Sequence, residues 1–196
     1  GTAPPPRELP WPVTGLGVTV DSADPPQWVE GRAGFATPGG SPTAAWHTRR
    51  VEAFDDGWIV TDTLDAFGAN ELRTLWHFHP NVTLTIGSDG HLIAERDGNT
   101  DGTGSAANDG SAGSGSEQLL MRLANYRPST TRFETHHGEG LPKPRGWYSP
   151  HFNERLPAAQ LEVVQHTLGP RRNVWLLSPS PEGLARLQRV VEAREP

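Results

Sequence analysis

Ala44-Ala45-Trp46-His47-Thr48-Arg49-Arg50-Val51-Glu52-Ala53-Phe54 runs through Asp55-Asp56-Gly57 into Trp58-Ile59-Val60-Thr61-Asp62-Thr63-Leu64. Alternating side-chain character on both flanks marks half-buried strands, and Asp-Asp-Gly between them is turn chemistry. The two flanks therefore read as neighbouring strands. The same pattern recurs downstream over residues 71–79, 82–86, 91–95, 117–123, 131–136, 161–166 and 173–177. Turn signals at Phe67-Gly68, Ser88-Asp89-Gly90 and Gly169-Pro170 separate several of these runs. Short strands with frequent turns predict an all-β protein, an antiparallel sandwich or barrel.

Upstream the pattern fades. Pro4, Pro5, Pro6, Pro10, Pro12, Pro25 and Pro26 oppose helix and central strand alike, so only residues 16–20 read as a strand there. Residues 1–42 are expected to be a Pro-rich segment packing on a β-sandwich that occupies 43–180. Within it, 98–116 lacks aromatic and β-branched aliphatic residues and reads as a flexible hairpin insertion. Residues 181–196 form a tail in which Leu184, Leu187, Val190 and Val191 have helical spacing, predicting a short amphipathic helix over 181–193.

Composition limits the function classes. Hydrophobic residues make up 34% of 196, mean hydropathy is −0.56, and Gly 22 with Pro 19 gives a turn-rich chain. No apolar run approaches the roughly 18 residues of a membrane span. With no cysteine, disulfides, thiolate zinc sites and a cysteine nucleophile are excluded. A net charge of −6 disfavours non-specific nucleic-acid binding. Lys143 is the one lysine among 17 basic residues; arginine's fork suits carboxylates and sulfates, although codon bias accounts for the excess more simply. The first residue is Gly1 and no basic-then-apolar leader follows, so the chain is expected to be a mature product or a piece of something longer.

Three stretches carry candidate chemistry. In Leu72-Arg73-Thr74-Leu75-Trp76-His77-Phe78-His79-Pro80, alternation puts Trp76 and Phe78 on a core face and His77 with His79 on the other. Two imidazoles two residues apart have the spacing to share a zinc ion, with Asp62, His47 or His91 as a third ligand; polar residues on a wet sheet face are the plainer reading. His47 and Arg49 share a face, where arginine would grip a carboxylated sugar and histidine would carry a proton. Asp62, inside an apolar strand, reads as a structural anchor for a neighbouring turn. Gly146-Trp147-Tyr148-Ser149-Pro150-His151-Phe152 offers Tyr148 as a proton donor or acceptor and Trp147 as a sugar-stacking ring. His136 and His137 alternate faces in a strand and cannot both point at one metal. No Gly-rich phosphate loop or Gly-x-Ser-x-Gly elbow occurs.

Four pieces, in order, resemble the C-terminal β-sheet domain of the heparinase II/III-like polysaccharide lyases. They are His47-Thr48-Arg49-Arg50-Val51, Ile59-Val60-Thr61-Asp62-Thr63-Leu64, Trp76-His77-Phe78-His79-Pro80, and Gly146-Trp147-Tyr148-Ser149-Pro150 leading through Leu156-Pro157-Ala158-Ala159-Gln160-Leu161 to Trp175-Leu176-Leu177-Ser178-Pro179. The resemblance implies a β-sandwich of that type and β-elimination of uronate-containing acidic polysaccharide. It also implies a helical toroid, on the same or another chain, and a periplasmic, secreted or cell-envelope location. Some members hold zinc in the β domain. The family's His-x-Asp and Ala-His-Asn stretches have no match in this sequence, so the resemblance assigns no catalytic or metal-binding residue. An accessory domain, inactive alone, is expected, with Arg49, His47, His77, His79 and Tyr148 as substrate-binding candidates. The alternatives are a free-standing carbohydrate-binding module using Trp28, Trp46 or Trp147, and a small metalloprotein using His77 and His79.

Overall fold

A computed structural model describes residues 13–21, 27–35, 45–96 and 117–194. Among the described residues, thirteen strands and one helix form: β1 (Val13–Val20), β2 (Trp28–Phe35), β3 (Ala45–Phe54), β4 (Gly57–Ala66), β5 (Ala69–His77), β6 (Val82–Ile86), β7 (His91–Arg96), β8 (Glu117–Leu123), β9 (Thr131–His137), β10 (Trp147–Tyr148), β11 (Leu156–Pro157), β12 (Ala159–Leu168), β13 (Arg171–Ser178) and α1 (Pro181–Glu192). The segment 98–116 lies outside the described residues.

Two antiparallel sheets face each other. The larger has eight strands in the order β1-β2-β3-β4-β13-β8-β7-β6; the smaller is β5-β12-β9. Strands β10 and β11 pair separately beside the smaller sheet. Inward residues of both sheets make the main core: Val60, Leu92, Met121, Leu123, Leu161, Val163, Trp175 and Leu177. Trp76 and Phe133 of the smaller sheet, and Phe78 just past the end of β5, pack against it. The protein is thus an all-β sandwich. Trp76 stands edge-on to the fully buried Trp175, ring centroids 5.5 Å apart.

The β3–β4 hairpin has Asp55-Asp56 at its turn, with Phe54 opposite Gly57. Gly57 takes φ 139°, and a Cβ there would lie 2.0 Å from the Leu177 carbonyl oxygen, so no other residue fits without displacing β13. Helix α1 begins at Ser180, whose hydroxyl accepts from Gly183 N at 3.1 Å, with Pro181 in the first turn. Its Leu184, Leu187 and Val191 cover Ile59, Val174 and Leu176 on the outer face of the large sheet. A second, smaller core results.

Strand structure near the N-terminus is more extensive than expected. The strand expected over 16–20 runs from Val13 to Val20, and Trp28–Phe35 is a full strand that the sequence did not suggest. Both extend the large sheet past the covering three strands. Val18, Val20 and Val29 are correspondingly exposed.

Candidate functional site

Strand β3 aligns His47, Arg49 and Val51 with Leu64, Asp62 and Val60 of β4. Val51 packs on the main core, so His47 and Arg49 share its inward face. There Asp62, 1% exposed, holds both. Arg49 Nε donates to Asp62 Oδ1 at 2.7 Å and Arg49 Nη2 to Oδ2 at 2.9 Å, while His47 Nε2 donates to Oδ1 at 2.9 Å. The Arg49 guanidinium carbon lies 5.3 Å from the centroid of Trp76. Burial pushes the Asp62 carboxyl up, but hydrogen bonds from His47 and Arg49 and their charge outweigh it, leaving it below the usual carboxylate range.

This arrangement leaves reactive edges free. Asp62 occupies the side of the guanidinium that bears Nε, so the edge formed by Nη1 and Nη2 still has donors for a second carboxylate or sulfate. With Nε2 donating, His47 keeps Nδ1 as an acceptor, and its side chain is 31% exposed. Asp62 was expected to anchor a turn. Instead its carboxylate orients two side chains of the neighbouring strand, because direct cross-strand pairing puts Arg49 opposite it.

A second charged cluster, absent from the sequence reading, lies on the outer face of the small sheet. Glu162 of β12 is 3% exposed yet flanked by two guanidiniums: Arg73 Nη1 donates to Oε1 at 2.5 Å, and Arg145 Nη1 forms an ion pair with Oε2 at 2.9 Å. His136 Nδ1 donates to Glu139 Oε1 at 2.7 Å, and its Nε2 lies 2.9 Å from Arg145 Nη1 and 3.2 Å from Glu162 Oε2. Glu134, His136 and Glu162 have the mutual spacing of a three-ligand metal site. Arg145 Nη1, also 3.7 Å from Glu134 Oε2, stands among them where an ion would stand. The guanidinium supplies the positive charge there. Sequence offered no pointer to this cluster, since Arg73 and Glu162 are 89 residues apart.

The five candidate residues do not converge. His77 is exposed on the outer face of the small sheet, in register with Gln160, which is in register with His136. His79 lies beyond the end of β5, its ring 5.5 Å from that of Tyr148. No direct contact joins this group to His47 and Arg49 among the described residues. The third metal ligands considered for His77 and His79 are also placed elsewhere: His47 and Asp62 bond each other on the large sheet, and His91 bonds Asp89 at 2.6 Å. Each tryptophan considered for sugar stacking carries an arginine over its ring. Arg50 lies 4.0 Å from the Trp28 centroid, Arg32 4.1 Å from Trp46 and Arg155 5.3 Å from Trp147.

The fold defines the class: a two-sheet antiparallel sandwich presenting an arginine and a histidine oriented by one buried carboxylate. A family model described as heparinase II/III-like, C-terminal, matches residues 17–185. The chain belongs to that family. By structure it is similar to heparan sulfate lyase HepC from Pedobacter heparinus, with a TM-score of 0.55 and 10% identity over 83% of this chain. A mutant of the same lyase gives a TM-score of 0.55 and 11% identity, also over 83% of this chain. The match covers 21% of the lyase, so the chain spans about a fifth of that enzyme. No curated protein matches the sequence.

Proposed function

We propose that this domain is an accessory part of a polysaccharide lyase that acts by β-elimination on uronate-containing acidic polysaccharide. It contributes substrate contacts and is inactive without a helical toroid domain on the same or another chain. The observation that carries this reading is Arg49, fixed by Asp62 with its outer donors still available. Elimination needs a group that neutralises the C5 carboxylate, a base for the C5 proton and an acid for the leaving oxygen. Arg49 meets the first requirement and His47 Nδ1 has the chemistry of the second. Tyr148, the candidate acid, pairs with His79 instead, so one face of the isolated domain does not assemble all three. His77, His79 and Tyr148 then form a separate contact with the polymer.

Incubation of the isolated chain with a panel of acidic polysaccharides, followed by ultraviolet absorbance of the unsaturated uronate, tests the accessory role. No absorbance gain above the protein-free control is expected. Sustained turnover would show that the chain is a complete catalyst.

A further inference from the structure

One end of the sandwich interior holds a guanidinium with no acid free to meet it. Inward residues of β13 run Arg171, Asn173, Trp175, in register with Leu64, Asp62 and Val60 of β4. Asp62 is already engaged by Arg49 and His47. Arg171 therefore leans on neutral groups: its Nε donates to Asn173 Oδ1 at 3.2 Å. Asn173 Nδ2 donates onward to Gln165 Oε1, and Gln165 Nε2 to Thr131 Oγ1 at 3.2 Å. Asn173 and Gln165 are fully buried. These amides position the guanidinium and leave its charge uncompensated.

The far end of Arg171 is unusual. Its Nη2 is buried without a hydrogen-bond partner, while the residue as a whole is half-buried, so the guanidinium stands at the boundary between interior and solvent. A second cation lies on the adjoining β8–β9 connection: the exposed Arg127 is two residues beyond Asn125, whose Nδ2 donates to the carbonyl oxygen of Arg172. Burial first, and then the Arg127 charge, push the Arg171 guanidinium below the usual arginine range. No ion pair to a carboxylate is formed by either arginine among the described residues. A buried donor without a partner and the repulsion between Arg171 and Arg127 are both unfavourable, and one oxyanion would relieve both.

We propose that Arg171 and Arg127 form a subsite for an oxyanion of the sulfate or carboxylate class. Arg171 supplies the inner donor, Arg127 the outer charge, and the Asn173–Gln165–Thr131 chain holds Arg171 in place. The source is a sugar acid group or a free oxyanion. The sugar source rests on the function proposed above; the subsite itself does not. Register supports a shared ligand, since His47 pairs with Leu64 and Leu64 with Arg171. Two strand spacings put the His47 and Arg171 backbones about 10 Å apart, within reach of successive acidic sugars.

The whole chain is titrated with sodium sulfate and, separately, with a uronate disaccharide, at ionic strength matched with chloride. The Arg171 Nε–H resonance is followed by NMR and the melting temperature by calorimetry. Sulfate is expected to move the resonance saturably and raise the melting temperature beyond the chloride control. Arg171→Met should melt higher than the wild type without added anion, because an uncompensated charge is gone, and should lose that sulfate excess. Arg127→Gln should weaken sulfate binding about tenfold or less, since it supplies only an outer charge. An identical sulfate excess in Arg171→Met, or an unmoved Arg171 resonance in the wild type, would overturn the subsite. Because sulfate stabilises folded proteins generally, only the difference between wild type and variant counts. Response to both probes supports a sugar acid as the source. Response to sulfate alone keeps the subsite and removes its link to the polysaccharide.

Discussion

Replacing Trp175 with alanine is expected to lower the unfolding free energy by about 3–5 kcal/mol, the range for deleting a large buried aromatic. Trp175 is 0% exposed and sits among core side chains from both sheets, against the edge of Trp76. The cavity would open where the two sheets meet, so little of the surrounding structure can collapse into it. For a chain of this size that corresponds to a fall in melting temperature of roughly 10 °C. Trp175 Nε1 has no hydrogen-bond partner among the described residues, so Trp175→Phe removes an unsatisfied donor while keeping most of the ring. That variant is expected to lose about 1 kcal/mol. Calorimetry of both proteins checks the pair. A Trp175→Ala protein melting within a degree or two of the wild type would show that the sheets are not held together through this residue.

Asp62→Ala carries the second large effect, on stability and on the site together. It leaves Arg49 and His47 on the inward face without their shared acceptor. Breaking a buried pair by removing one partner ordinarily costs about 3–5 kcal/mol. Here Arg49 and His47 are each about a third exposed, and solvent screens them, so about 2–3 kcal/mol is expected. The pH dependence identifies the cause. The folded Asp62 carboxyl titrates below its unfolded value, so its contribution is present above the unfolded value of about 3.9 and is lost as pH falls through the folded one. Wild-type stability should therefore decline with acidification below about pH 4, and Asp62→Asn should flatten part of that decline. Denaturant melts at pH 3 and pH 7 provide the comparison. Equal losses in wild type and Asp62→Asn would place the acid sensitivity in another carboxyl, with Glu162 the first to test.

Most of the sandwich was legible because its strands are half-buried and alternate. Strands β3, β4, β6, β7, β8, β9 and β13 appear within two residues of where alternation and turn signals placed them. Strand β2 escaped because Trp28-Val29-Glu30-Gly31-Arg32-Ala33-Gly34-Phe35 shows no clean period. It lies beyond the covering sheet, where neither face demands a continuous apolar row, and two glycines weaken its strand character. Face alternation did place His47 and Arg49 together and sent His136 and His137 to opposite sides. What linked them was not legible. Asp62 reaches Arg49 through cross-strand register, and Glu162 collects Arg73, His136 and Arg145 from segments whose adjacency only the finished sheets decide. Local sequence carries the period of a strand but not its partner, so buried charge clusters emerge only with the topology.

The proposed function turns on Arg49 as a substrate contact. Titration of the isolated domain with a uronate-containing oligosaccharide, comparing wild type with Arg49→Gln by calorimetry, tests it most directly. Glutamine preserves a polar side chain and removes the charged fork. The expected result is measurable binding by the wild type and at least about tenfold weaker binding by Arg49→Gln, in line with one lost charge-assisted pair. Equal affinity of the two proteins, or no binding by the wild type, would contradict it.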